Sequence, residues 1–183
     1  QELIIARSGY SKQGGFEIYV DDFSQGEAVW DALFEAGESL DVRAGCPNLI
    51  ERIESGLLSF GSDMTNENTP HESGLSKFCD TRNAIKCVGR DALLKEIENG
   101  PWRQIRSLSI AGPAVPQCRN MWEAREDNIV VGRVSSAVWS PDYQTNVALG
   151  MIHRDHWDPD NILIVETPDG PREARIMPGP FIL

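Results

Sequence analysis

Asn99-Gly100-Pro101 divides this chain into two stretches of different texture. Glycine takes positive φ freely, and the proline that follows lacks the amide another helical turn would need, so a helix stops here. Before the break, apolar residues recur at helical spacing between polar loops. After it, Ile105–Ile110, Ile129–Val138, Thr145–Ile152, Ile162–Glu166 and Glu173–Ile176 read as strands separated by Gly, Pro, Asp and Asn turns. The expected fold class is therefore α+β. Residues 1–100 form an α/β piece, and residues 101–183 form an all-β, jelly-roll-like barrel.

The first piece opens on Leu3-Ile4-Ile5, a strand already under way with no initiating Met before it, so upstream sequence is expected. Ser11 to Gly15 is turn chemistry, with two glycines free to take positive φ. Phe16, Ile18 and Val20 then alternate with Glu17 and Tyr19, which places the two sets on opposite faces of a strand. Ser24 is the expected cap of a helix running to about Ala36, with Val29, Trp30, Leu33 and Phe34 on one stripe and Gly37 as its stop. A second helix has Pro47 near its first turn and turns Leu49, Ile50, Ile53 and Leu57 inward. A third runs from Arg90 to Glu98.

Composition excludes some partners. Lys and Arg number 17 against 28 Asp and Glu, a formal net charge of −11. Such a surface repels phosphate backbones and anionic lipid, so neither nucleic acid nor membrane is an expected partner. Cys46, Cys79, Cys87 and Cys118 are widely spaced, with no C-x-x-C pair. Reduced thiols in a cytoplasmic protein fit that spacing better than a zinc site or a secreted disulfide scaffold. No metal is expected, and the sequence leaves homo-oligomerisation open.

Several segments resemble, in order, the aminomethyltransferases of the glycine cleavage system, the T-protein family. Ala6-Arg7-Ser8-Gly9-Tyr10 through Gly15-Phe16-Glu17-Ile18 is similar to one family segment, and Arg52-Ile53-Glu54-Ser55-Gly56-Leu57 to another. The likeness continues through Gly61-Ser62-Asp63-Met64, Thr69 to Leu75, Gly89 to Leu94, Gly132-Arg133-Val134-Ser135-Ser136 and Asn146 to Gly150. The family's chains are about twice as long, which implies a missing N-terminal half. Where the family carries an Arg-Asp pair this chain has Asn48-Leu49, and a frequent family Trp is replaced by Lys77. The wording around Ser11-Lys12-Gln13, Arg43 to Asn48, Asn68 to Glu72 and Trp139 to Asp142 is instead similar to the family's dimethylsulfoniopropionate demethylase branch.

The resemblance implies tetrahydrofolate as cofactor and a small sulfonium methyl donor as substrate. It assigns Glu17 to the pterin, whose ring N–H and exocyclic amine are parallel donors that one carboxylate accepts together. Periodicity alone reads Glu17 as a solvent-facing residue of an edge strand. Tyr19 lies on the same face, about 7 Å along the strand. It either stacks on folate, lines a sulfonium pocket as an aromatic face suits a cation, or anchors the sheet. Tyr10, at the turn, is a candidate of the same kind. Asn48 is a candidate substrate-binding residue or a cap for first-turn amides. Arg52, between Glu51 and Glu54, reads as an exposed helix ion pair with a structural role. His71 is a candidate proton handler or a structural loop histidine. His153-Arg154-Asp155-His156 reads as a turn between strands rather than a metal site.

The implied function is methyl transfer from dimethylsulfoniopropionate to N5 of tetrahydrofolate, with the 183-residue chain inactive by itself. The alternatives are a glycine-cleavage aminomethyltransferase and a non-catalytic folate-binding relative. No catalytic acid or base is assigned, because in the family an acidic residue near the reaction centre comes from the N-terminal half.

Overall fold

The strands beyond the break close on themselves. The computed structural model describes residues 3–10, 13–45, 48–83 and 86–182. Six antiparallel strands form a closed barrel: β3 (Arg103–Ile110), β4 (Trp122–Glu126), β5 (Ile129–Ser140), β6 (Thr145–His153), β7 (Ile162–Thr167) and β8 (Gly170–Ile176). Their order around the barrel is β3-β6-β5-β4-β7-β8, with β8 returning to pair with β3. In β7, Leu163, Val165 and Thr167 point inward while Ile162, Ile164 and Glu166 point out, the alternation a one-sided strand requires. Leu108, Ile110, Trp122, Ala124, Val134, Ile152, Leu163, Val165 and Ile176 fill the interior.

β4 is a strand the hydrophobic pattern does not reveal. Trp122 and Ala124 are its buried residues, and Glu123, Arg125 and Glu126 supply its polar remainder. Without it β5 and β7 would have no common neighbour. Asn146 is fully buried and fastens the 111–115 crossover: its Nδ2 donates to the carbonyls of Ile110, Gly112 and Pro113, and its Oδ1 accepts from Val115 N.

Ahead of the barrel lie β1 (Ile4–Ala6), β2 (Glu17–Tyr19), α1 (Gly26–Gly37), α2 (Leu49–Glu54) and α3 (Arg90–Asn99). α2 packs on the outside of β5 and β6, where Ile53 joins Val147 and Leu149 in a second core. This explains why β6 is buried over nearly its whole length: one face meets the barrel interior and the other meets α2. α2 ends in a reversal at Gly56, φ 65°, with Gly56 N bonded to Ile53 O and Leu57 N to Arg52 O. Leu57 therefore follows the cap and is not part of the inward helical stripe.

Three local expectations are corrected. Asp22, not Ser24, caps the start of the first helical segment; it accepts from Ser24 N, and Ser24 sits inside a 3-10 turn that leads into α1. Gly37 does not stop α1 by a left-handed turn, since Asp41 carries that conformation (φ 55°). Gly37 is glycine because an added Cβ would lie 2.3 Å from Val42 Cγ2. Gly14 and Gly15 do not adopt positive φ; Ser11, Lys12, Cys46 and Pro47 lie outside the described residues.

Candidate functional site

The hairpin of β1 and β2 is antiparallel, with Ala6 opposite Glu17 and Ile4 opposite Tyr19. Strand alternation puts Glu17 and Tyr19 on the same exposed side. The Ser8 hydroxyl donates to Glu17 Oε2, which orients the carboxylate. Tyr10 donates its hydroxyl to Leu58 O at 2.5 Å, and Gln13 Nε2 donates to Glu51 Oε1 at 2.7 Å. These two bonds tie the hairpin to α2 and to the loop after it. Asn48 stands at the same end of α2, its Oδ1 accepting from Glu51 N at 2.8 Å. Gln13, Glu51 and Asn48 are thus linked at the start of α2, while Tyr10 is tied to the loop beyond its end. Tyr19 is 52% exposed.

Arg52 is not an exposed ion pair. Its side chain is 8% exposed, and Nη1 lies 2.6 Å from the fully buried Asp63 Oδ2. Nη1 also donates to Leu57 O, and Nη2 to Ser136 Oγ. Asp63 accepts further bonds from Ser59 N, Ser135 Oγ and Ser136 Oγ. Two successive strand residues ordinarily point to opposite faces. The irregularity between Val134 and Ser136 lets Ser135 and Ser136 reach the same carboxylate. Beside this cluster Ser140 Oγ donates to Glu54 Oε1. The helical spacing Leu49, Arg52, Ile53 was the available signal that Arg52 faces inward.

The loop of Leu57 and Leu58 borders a cavity of ≈ 430 Å³ shared with Lys77, Phe78, Arg106 and the 177–180 segment. Its lining carries two cations and no carboxylate, in a protein of net charge −11. Burial pushes the Arg106 guanidinium below its ordinary value, partly offset by Asp158. Arg106 also stacks 4.6 Å over Trp157. A second cavity of ≈ 620 Å³ is lined by Met64, Met151, Val131, Arg103 and Arg133, among others. Glu17, Tyr19, Tyr10 and Asn48 line neither cavity.

His153 and His156 each have a carboxylate partner, and their rings lie 6.1 Å apart. His153 faces Asp155 at 3.5 Å and His156 bonds Glu126, whose carboxyl is held below its usual range chiefly by that bond. Among the described residues no three His, Cys, Asp or Glu side chains converge as metal ligands. No helix of the described residues is long and apolar enough to cross a membrane.

Residues 1–83 match the model of the GCVT N-terminal domain, and residues 103–182 match that of the glycine cleavage T-protein C-terminal barrel domain. The chain belongs to the glycine cleavage T-protein family. The dimethylsulfoniopropionate demethylase DmdA of Ruegeria pomeroyi is 53% identical over 97% of this chain and 48% of its own length. An aminomethyltransferase of Oceanobacillus iheyensis is 29% identical over 98% of this chain and 48% of its own. The chain therefore spans about half the length of the curated relatives it matches. The glycine cleavage system aminomethyltransferase T of Bartonella henselae superposes with a TM-score of 0.81 at 23% identity, covering 100% of this chain and 50% of that one, and so shares its fold.

Proposed function

We propose that the protein to which this chain belongs transfers a methyl group from dimethylsulfoniopropionate to N5 of tetrahydrofolate, releasing a neutral thioether. The observation that carries this reading is the 53% identity to a dimethylsulfoniopropionate demethylase, against 29% to an aminomethyltransferase over the same span. A sulfonium is an activated methyl donor, so the protein has mainly to align sulfur, methyl carbon and N5 in a dry cleft.

In this reading residues 1–100 contribute to the folate site and residues 101–183 are the supporting barrel. Glu17 receives the two parallel donors of the pterin, with Ser8 holding the carboxylate in place. Tyr19 and Tyr10 supply aromatic surface for folate or the sulfonium. Asn48 borders the substrate from the start of α2. The cavity of Lys77 and Arg106 suits a carboxylate, which both tetrahydrofolate and the donor carry. Glu17 and Tyr19 are open on this chain, and the other wall of the cleft is supplied by the half of the protein that the longer relatives possess.

The test uses the full-length protein with tetrahydrofolate and either dimethylsulfoniopropionate or an aminomethyl-lipoyl carrier. Methyltetrahydrofolate formed from the sulfonium alone supports the reading. Faster reaction with the aminomethyl carrier would move the protein to the aminomethyltransferase branch, and folate binding without turnover of either donor would make it a non-catalytic relative.

A further inference from the structure

Glu17 sits on an element that its own packing does not hold in place. Among the described residues β1 and β2 pair only with each other, and a two-stranded hairpin by itself is marginal in water. Ile4, Ile5 and Phe16 are all more than half exposed, so apolar burial does little to fix it. α2 is the opposite case, with Arg52, Ile53 and Glu54 all buried. Ile53 packs with Val147 and Leu149, Arg52 pairs with Asp63 and donates to Ser136, and Glu54 accepts from Ser140. Three successive residues therefore lock α2 into the frame of the barrel.

Two hydrogen bonds cross from the hairpin to this platform, and they land at opposite ends of it. Gln13 Nε2 donates to Glu51 Oε1 in the first turn of α2, and the Tyr10 hydroxyl donates to Leu58 O beyond its last turn. The six residues of α2 lie between them, about 9 Å of helix. One bond sets the distance of the hairpin from the platform, and the second stops it from pivoting. Leu58 itself packs against the Ile53 core, so the accepting end is fixed. We propose that Tyr10, through its hydroxyl, and Glu51 are positioning residues for the methyl transfer. They clasp the hairpin so that Glu17 keeps one place relative to Asn48 and to the cavity that Leu58 lines. This rests on the pterin reading of Glu17. Each residue acts through that carboxylate, which accepts two parallel donors only while it stays aligned with them. The hydroxyl thus has a task separate from any contact the Tyr10 ring makes.

The test uses the full-length protein and three variants. Tyr10→Phe keeps the ring and removes the donor. Glu51→Ala removes the acceptor for Gln13, and Glu51→Gln restores one through its amide oxygen. Amide hydrogen exchange of residues 4–6 and 17–19 is expected to speed up roughly tenfold in Tyr10→Phe and Glu51→Ala. It should stay near the wild-type rate in Glu51→Gln, and exchange at Val147 and Leu149 should not change in any variant. In Tyr10→Phe and Glu51→Ala the KM for tetrahydrofolate is expected to rise roughly fivefold, within the range that one hydrogen bond spans. A protein that was only less stable would lose apparent kcat at constant KM. Unchanged hairpin exchange in both variants overturns the clasp. Faster exchange with unchanged tetrahydrofolate kinetics overturns its link to Glu17. A raised KM without faster exchange in Tyr10→Phe overturns the proposal as well, because the hydroxyl then acts on the ligand directly. The pterin reading is judged separately by Glu17→Gln: intact folate affinity there defeats that reading, while hairpin exchange still decides the clasp.

Discussion

Arg52 on α2 and Asp63 in the loop beyond it form a buried ion pair, 2.6 Å from Nη1 to Oδ2, which Ser135 and Ser136 of the barrel close from the other side. The pair therefore joins three parts of the chain: α2, the 59–63 turn and β5. Removing one partner strands the other charge in a dry site. Arg52→Met is expected to lose roughly 3–5 kcal/mol of unfolding free energy, the scale for breaking a buried pair. An exposed pair would lose less than about 1 kcal/mol, so urea denaturation of this one variant separates the two descriptions.

What the sequence disclosed depends on how much of each signal is local. The barrel strands were legible because their inward and outward residues alternate, as Leu163, Val165 and Thr167 do. β4 was not, because two inward residues among three charged or polar ones give too short a pattern, and its pairing with β5 and β7 is decided by distant chain. Arg52 was misread as exposed because its flanking glutamates suggest local pairs, whereas its partners lie at Asp63 and Ser136. The exposed side of Glu17 and Tyr19 follows from alternation. The ligand proposed for Glu17 rests only on the family resemblance, since periodicity carries no information about a pterin. Asn48 makes the cap that helix chemistry alone would give it.

Cys118 makes stability depend on alkaline pH. Burial, with help from the Asp63 charge, pushes its thiol from an ordinary 9.0 up to about 11. The unfolded chain thus releases this proton first. The stabilisation is fully present below about pH 9 and is lost as pH rises toward about 11. Urea midpoints measured from pH 8 to 11 should fall more steeply for the wild type than for Cys118→Ala. Alkylation at pH 8 should label the exposed Cys87 well before Cys118, as peptide mapping would show.

The first 45 residues should open before the barrel does. β1 pairs with β2 alone, and α1 packs chiefly against the 3-10 turns that flank it. Trp30 and Leu33 on its apolar stripe are 51% and 47% exposed, and Phe23 is 94% exposed. With so few buried contacts, opening there costs a small part of the global unfolding free energy. Limited trypsin digestion is expected to cut at Arg7 and Arg43 at least about tenfold faster than at Arg133 or Arg175. Addition of the upstream half should slow the early cuts. Simultaneous cleavage across the chain would show that the N-terminal piece and the barrel open as one.

Glu17→Gln in the full-length protein should weaken tetrahydrofolate binding by about 1.5–3 kcal/mol, the scale for a hydrogen bond to a charged group. Glutamine matches the size but offers a single acceptor oxygen and no charge to the two pterin donors. Because Glu17 is exposed on β2, the melting temperature should change little. Calorimetry showing unchanged folate affinity would remove Glu17 from the pterin site.

Substitution of Tyr19 tests the proposed donor recognition against folate recognition. A sulfonium is a permanent cation with an apolar shell; an aromatic face attracts it without the desolvation cost of a carboxylate partner. Tyr19 shares the exposed side of Glu17, two residues along β2, which puts a ring beside the proposed pterin position. If the cation rests on that ring, Tyr19→Ala costs about 2 kcal/mol or more at the sulfonium. Folate, held in the proposed reading mainly by hydrogen bonds to Glu17, should lose much less. The expected signature is a kcat/KM for dimethylsulfoniopropionate reduced by roughly 30-fold, the equivalent of 2 kcal/mol, with tetrahydrofolate affinity nearly unchanged. A neutral thioether competitor, lacking the charge, should bind wild type and variant alike. Normal kinetics in Tyr19→Ala would leave the residue as an anchor of the hairpin, and an equal loss for folate and sulfonium would place the ring against the cofactor instead.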